Sequence, residues 1–341
     1  MELRKDPITQ SWVLIGDAQS RTLAFTQCPY CPGNEAPDSP VIYSLPFADR
    51  PGAIRVYPHP NPLYQVEGNP ERRADGIYDK MRTVGAHEVI VENQEHQSRL
   101  SIADEYEIAH LLECWAYRID DLKKDTRFKY VTVFKNQGEL AGQEIRHPHS
   151  ELTAMPFIPR RILYELRSSR DYYRMKDRCV LCDIQRQEEH QGLRVVDISG
   201  SFLALCPFSS RVPFELWIMP RYHHSSFETD LLQRRNMADL AGILRRCLVR
   251  LEQVTDAYHL VLHTSPNTHS RLEGTGYWAT LEDDYHWHIE ILPITEKRTR
   301  SYSIKEAYYC PLAPETAAAT LKDLPTDRHA LPQRTLEFQT R

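Results

Sequence analysis

Two short rows of polar residues limit what this chain can fold into more than any other feature. "HPHSE" places His147, His149 and Glu151 two apart, and "HWHIE" places His286, His288 and Glu290 in the same spacing. Side chains in a strand alternate faces, so each row reads as one extended strand with its two imidazoles and its carboxylate on a single side. The surroundings repeat as well. Cys28 and Cys31 in "CPYCPGNE" precede the first row, and Cys179 and Cys182 in "CVLCDI" precede the second. Between each cysteine pair and its row run strand-like segments, a histidine ahead of a long amphipathic helical segment, and one further strand. In the first half these are "GAHEVIVEN", His96, "EYEIAHLLECWAYRIDDLKK" and "YVTVFKN"; in the second "FELWIMP", "YHHSSFETDLLQRRNMADLAGILRRCLVRLEQV" and "YHLVLHT". Apolar residues recur at three and four positions, as in Ile108, Leu111, Leu112 and Trp115 or Leu240, Ile243, Leu244 and Cys247, which is the period of a helix with one buried face.

A chain built this way is a tandem duplication of an α+β unit, an antiparallel sheet with flanking helices. The boundaries expected are an N-terminal half over 1–165, a C-terminal half over 166–321, and a weakly patterned tail over 322–341. With 341 residues and 41% apolar content, the chain is long enough for a sizeable core. A net charge of −5 argues against a broad basic surface for nucleic acid. The first residues form no apolar leader, and no stretch reaches the roughly 18 apolar residues of a membrane span, so the expectation is a cytoplasmic protein without membrane or nucleic-acid partners.

Eight cysteines are too few for a disulfide scaffold in a chain of this length, and the Cys-x-x-Cys pairs read better as halves of metal sites than as redox pairs. The repeat nominates the other ligands. Cys28, Cys31, His96 and His147 make one Cys2His2 set; Cys179, Cys182, His286 and either His223 or His224 make the other, with the alignment of "HQSRL" and "HHSSF" favouring His223. Zinc, two ions per chain, is the expected occupant, and a closed set of four protein ligands is structural. Cys114, Cys206, Cys247 and Cys310 read as small buried hydrophobes.

This division leaves His149 and His288 without a metal. A neutral imidazole whose second nitrogen is held as a donor can attack an electrophile. Ahead of His149, "VFKNQGELAGQEIR" supplies an amide at Asn136 and backbone room at Gly138 and Gly142 for a phosphate, whereas a charged run separates Gly274 and Gly276 from His288. His149 is therefore the candidate nucleophile.

"RKDPIT..WV", "CPYC", "DGIYDKM..VGAHEVIVEN", "VFKN.G...G....HPHS" and "HWHIEILP" resemble, across nearly the whole chain, the galactose-1-phosphate uridylyltransferase family of the histidine-triad superfamily, which includes nucleotide-sugar phosphorylases. The resemblance implies a duplicated histidine-triad fold and a homodimer with shared active sites. It also implies ping-pong transfer of a nucleoside monophosphate through a nucleotidyl-histidine, from a nucleotide sugar to a sugar phosphate or phosphate acceptor. By position, His149 matches the nucleophile, Asn136 a phosphate-side donor, and the Cys–His sets the metal sites. Three positions depart from the family. Glu151 replaces a glutamine that donates to the nucleotidyl phosphate, and Glu144 replaces a serine beside it. The nucleoside-pocket segment reads "YPHPNPLY", offering His59 and Asn61 with Tyr57 or Tyr64 for stacking.

An ionised carboxylate about 4 Å from a phosphoryl oxygen is repelled by roughly 4 kcal/mol at an effective dielectric near 20, or about three decades in rate. Protonation, pairing with Arg146 or Arg21, or a metal accompanying the substrate would relieve the repulsion. The plainer alternative makes Glu151 and Glu290 matched scaffold carboxylates in the two halves. Three activities follow in order. The first is a UDP-glucose–hexose-1-phosphate uridylyltransferase, and the second a phosphorylase or hydrolase of ADP-sugars or dinucleoside polyphosphates. The third is a zinc-stabilised nucleotide-binding protein that has lost catalysis.

Overall fold

The computed structural model describes residues 1–16, 27–34, 40–270, 279–295 and 308–327. In chain order the first half contains β1 (Glu2–Lys5), β2 (Trp12–Ile15), β3 (Tyr43–Pro46), β4 (Ala53–Pro58), β5 (Arg73–Asp75), β6 (Tyr78–Arg82), β7 (Ala86–Val91), α1 (Glu105–Lys123), β8 (Tyr130–Gln137) and β9 (His149–Met155). Helices α2 (Arg160–Lys176) and α3 (Val180–Gln191) lead into β10 (Val195–Ile198), β11 (Phe202–Leu205), β12 (Leu216–Pro220), α4 (Phe227–Arg234), α5 (Met237–Leu251), β13 (Tyr258–His263), α6 (Leu281–Asp284), β14 (His288–Pro293) and α7 (Pro314–Asp323).

The duplication is visible in the strand order. One ten-stranded sheet runs β10-β11-β12-β14-β13-β8-β9-β7-β4-β3, so each half supplies five antiparallel strands in mirrored order and the halves join where β13 pairs with β8. A separate four-stranded sheet, β2-β1-β6-β5, comes from the first half alone.

Alternation along the strands sorts the large sheet into two faces. Ile54, Val56, Ile90, Val131, Val133, Leu152 and Ala154 from the first half join Leu216, Ile218, Leu260, Leu262, Ile289 and Ile291 from the second in one apolar cluster. The buried stripes of α1 and α5 cover that cluster, including Leu111, Trp115, Leu244 and Leu248. Helix α1 starts where Asp104 and Glu107 cap each other's backbone N–H groups. With both helices on one side, the opposite face keeps the residues that alternate with the core. Of the cysteines read as buried hydrophobes, Cys114, Cys206 and Cys247 lie in this core, while Cys310 is half-buried.

Three local readings change. The histidine rows are not wholly strand, because β9 and β14 begin at His149 and His288, and His147 and His286 sit just outside the ladders. The first histidine of each row turns to its Cys pair before pairing begins. The long helical segment of the second half is two helices, interrupted at Arg235, whose φ of 55° is left-handed and ends α4. The division near Leu166 falls inside the seventeen residues of α2, where Leu166 packs with Leu3, Met81 and Tyr285.

Gly138 closes β8 with φ 86° and ψ 157°, a conformation open in practice only to glycine, and a Cβ there would lie 2.8 Å from the Asp256 carbonyl. Gly138→Ala is expected to lower unfolding free energy by about 1–3 kcal/mol, read from a chemical denaturation midpoint.

Candidate active site and metal sets

Both expected ligand sets converge. Cys28, Cys31, His96 and His147 each offer one ligand atom within 4.8 Å of the others, as do Cys179, Cys182, His223 and His286. A tetrahedral zinc site with ordinary Zn–S and Zn–N bonds has S···N edges of about 3.6 Å. The first set has Cys31 Sγ at 3.4 Å from His96 Nδ1 and 3.6 Å from His147 Nδ1, with Cys28 Sγ 3.7 Å from His147 Nδ1. In the second, Cys182 Sγ is 3.4 Å from Nδ1 of both His223 and His286.

Tautomers agree with this geometry. His147 donates its Nε2–H to the Asn93 carbonyl at 2.6 Å, His223 to that of Glu282 at 2.7 Å, and His286 to that of Pro220 at 3.1 Å. Each Nδ1 therefore keeps a lone pair facing the cysteines, the arrangement that orients metal-bound histidine. Burial holds His147 down to about 4, so its imidazole is neutral. His224 lies outside the set, with its Nδ1 accepting from the Ser226 amide at 3.3 Å.

His149 has the opposite tautomer. Its Nδ1 donates to the His147 carbonyl at 2.8 Å, leaving the Nε2 lone pair free on the face opposite the helices. The backbone carrying it is fixed from the core side. Buried Lys135 bonds the His149 carbonyl at 2.9 Å and Glu92 at 2.8 Å, and Trp115 donates to Ser150 Oγ at 3.0 Å. Nε2 lies 3.8 Å from Glu151 Oε1.

Glu151 is neither protonated nor paired with Arg146 among the described contacts. Burial opposes its ionisation but is outweighed by the His149 and His87 imidazoles, and the carboxyl is held at about 2. Its Oε2 accepts from His87 Nε2 at 2.8 Å and is 3.8 Å from His59 Nε2. His87 Nδ1 accepts the Leu63 amide at 3.2 Å and His59 Nδ1 that of Asn61 at 3.1 Å, so both rings carry their proton on Nε2. The two rings stack with centroids 4.0 Å apart and planes 3° from parallel.

The remaining substrate-side candidates divide. Asn136 Oδ1 accepts from His259 Nδ1 of the other half at 2.8 Å, which leaves its NH2 as a donor. The expectation that Gly138 and Gly142 offer amides to a phosphate is not met. Gly138 N–H goes to Gln143 Oε1 at 2.8 Å and Gly142 N–H to the Glu139 carbonyl at 3.0 Å, so the loop consumes its own donors. The side chains of Glu144 and Asn61 are exposed, and Arg21 lies outside the described residues.

The second half repeats the row without repeating the opening. His288 Nδ1 donates to the His286 carbonyl at 3.2 Å, but Glu290 is occupied by Arg211 at 2.6 Å and Arg161 at 3.1 Å. His263 joins this network, 3.0 Å from Glu165 and 3.5 Å from Glu290, and Glu165, His263, His288 and Glu290 are close enough to share a cation. Neither Glu165 nor His263 was expected at a site. His263 was within reach of a register argument, since it pairs directly with His288. Glu165, on α2 between the two halves, carries no such signal. His87 was likewise passed over as one residue of an apolar strand.

Comparison with known proteins gives the same picture. Residues 18–159 match the model of the N-terminal domain of galactose-1-phosphate uridyl transferase. The chain is 29% identical to ADP-glucose phosphorylase of Arabidopsis thaliana, over 95% of this chain and 93% of that protein. It is 28% identical to galactose-1-phosphate uridylyltransferase of Thermotoga maritima, over 95% and 98%. The crystal structure of a GALT-like protein from Arabidopsis thaliana superposes with a TM-score of 0.74 at 30% identity, covering 95% of this chain and 99% of that one. A duplicated antiparallel sheet, a histidine with a bare Nε2 at the start of a central strand, and full-length similarity together establish that the chain is a transferase belonging to the galactose-1-phosphate uridylyltransferase family.

Proposed function

We propose that the protein moves a nucleoside monophosphate from a nucleotide sugar to a phosphate-bearing acceptor through a nucleotidyl intermediate on His149, most nearly as a UDP-glucose–hexose-1-phosphate uridylyltransferase. The observation that carries this reading is the His149 tautomer, Nδ1–H on the His147 carbonyl and Nε2 bare. The Nε2 lone pair forms a bond to the α-phosphorus while the bond to the bridging oxygen breaks, its electron pair leaving with the sugar phosphate. In the return step an acceptor phosphate oxygen attacks phosphorus and the N–P electron pair returns to Nε2. No proton need leave Nδ1 in either direction. Asn136 NH2 is the phosphate-side donor, and Asn61 and Arg21 belong to the substrate side.

A second reading, phosphorolysis of an ADP-sugar, is favoured by the similarity to ADP-glucose phosphorylase over almost the whole of both chains. The chemistry at His149 is the same; the base and the acceptor differ. Intact mass after incubation with UDP-glucose or ADP-glucose distinguishes them, since the protein gains UMP in one case and AMP in the other. Gain of neither would leave a nucleotide-binding protein without catalysis. In this proposal residues 1–165 carry the nucleophile and one metal set, residues 166–321 the other, and the protein works as a homodimer.

Zinc fits both Cys2His2 sets by donor type and tautomer, and would supply structural closure rather than reaction chemistry. Elemental analysis is expected to give two zinc ions per chain. Cys28→Ser or Cys179→Ser should each lose one ion and fold poorly, because structural zinc is worth on the order of 10 kcal/mol.

His149→Ala is expected to abolish the nucleotidyl adduct with zinc content unchanged, whereas His288→Ala should retain it; an adduct surviving in His149→Ala would overturn the assignment.

For Glu151, the folded pKa of about 2 lies below the ordinary 4.5, so its ionised form contributes stability above the unfolded value that is lost as pH falls toward 2. Transfer rates should therefore show no carboxyl titration between about pH 5 and pH 8. Glu151→Gln keeps an acceptor for His87 and removes the charge beside the phosphoryl group. UMP transfer should rise by a decade or more, within the roughly 4 kcal/mol of Coulomb repulsion.

A further inference from the structure

On the face opposite the helices, the Nε2–H of His59 has no hydrogen-bond acceptor among the described residues. His59 is 9% exposed. Its Nδ1 is occupied by the Asn61 amide, so Nε2 carries the proton, and the nearest acceptor recorded for it is Glu151 Oε2 at 3.8 Å, beyond hydrogen-bond reach. That oxygen already takes the His87 proton at 2.8 Å. Glu151 thus lies between two groups, with one oxygen 3.8 Å from the bare His149 Nε2 and the other 3.8 Å from the His59 N–H. The His59 ring is nearly buried while its Nε2–H is left for an acceptor that a ligand oxygen can supply.

His59, His87 and Glu151 are close enough together to hold a cation. The tautomers argue otherwise. Coordination at both Nε2 atoms would move a proton to each Nδ1, where it would face the amide N–H of Asn61 or Leu63. Two parallel rings with N–H groups turned into a cleft present hydrogen to an anion, not lone pairs to a metal.

We propose that the His59–His87 stack forms a phosphoryl-oxygen subsite: His59 Nε2–H donates to a non-bridging oxygen of the group being transferred to His149, and His87, anchored on Glu151, holds the His59 ring in position. The inference rests on the nucleotidyl-histidine reading and adds a residue to it. As the N–P bond forms and the P–O bond to the sugar phosphate breaks, the non-bridging oxygens keep their negative charge and the His59 proton stays on Nε2. The donor therefore lowers the barrier electrostatically without exchanging a proton. It also accounts for Glu151 next to a phosphate. The carboxylate anchors His87, and the His59 N–H stacked against it stands in for an amide at position 151.

The test uses the full chain and measures the rate of nucleotidyl adduct formation on His149 in a single turnover, with UDP-glucose and with ADP-glucose. His59→Phe keeps an aromatic ring for the stack and deletes the N–H; adduct formation should slow by about 100-fold. His59→Gln places an amide N–H near the same point and should recover at least tenfold of that loss. Melting temperatures and zinc content of both variants should match wild type; should His59→Phe fail to fold, His59→Leu takes its place in the comparison with His59→Gln. A wild-type rate in the variant lacking the N–H, or a glutamine variant as slow as it, would reduce the stack to packing and overturn the inference while leaving His149 as nucleophile. No adduct on wild type with either donor would overturn both.

Discussion

Backbone carbonyl and amide groups decide what the four histidines around Glu151 and the first Cys pair can do. His147 and His149 are two residues apart, yet Asn93 O takes the Nε2 proton of one and His147 O the Nδ1 proton of the other. A carbonyl can only accept, so the first ring turns its Nδ1 lone pair to the cysteines and the second turns its Nε2 lone pair to the cleft. His59 and His87 meet backbone N–H groups instead and become donors. Four imidazoles thus present three different faces, a bare Nδ1 at His147, a bare Nε2 at His149 and an Nε2–H at His59 and His87, without any differing in intrinsic chemistry.

The duplication supplies two copies of this arrangement, and electrostatics separates them. In the first half Glu151 bonds His87 and lies beside His149 and His59, with no guanidinium on it among the described contacts. In the second, Arg161 and Arg211 close on Glu290, and His263 bridges Glu290 and Glu165. Arg161 and Arg211 set against Glu165, Glu215 and Glu290 make an ion-pair network where the first half places imidazoles. The two halves meet across the β8–β13 seam, where Asn136 accepts from His259.

Much of this was legible in the residues because the repeat gave each observation twice. Cys-x-x-Cys, a histidine before a helix, and His-x-His recur in one order, and both Cys–His sets follow from that order. Periodicity placed α1 and the central strands. What escaped notice depends on cross-strand register or on tertiary approach. His87 reaches Glu151 only because β7 lies beside β9, and Glu165 arrives on a helix that sequence pattern marks merely as charged and amphipathic. The glycines before His149 misled for a related reason. They were read as exposing amides, but a side chain within the same loop, Gln143, takes the Gly138 N–H and ties the turn to itself.

The mirrored order of the large sheet also has a consequence for how the molecule meets its neighbours. Joining the halves at β8 and β13 removes two inner edges, leaving only β3 and β10 as rims. Both rims are four residues long; one ends in Pro46, which has no N–H to offer, and the other has its pairing register shifted between Val195 and Asp197. Short, interrupted rims are poor templates for a further strand. The large sheet is therefore poorly suited to extension by another strand at either rim among the described residues.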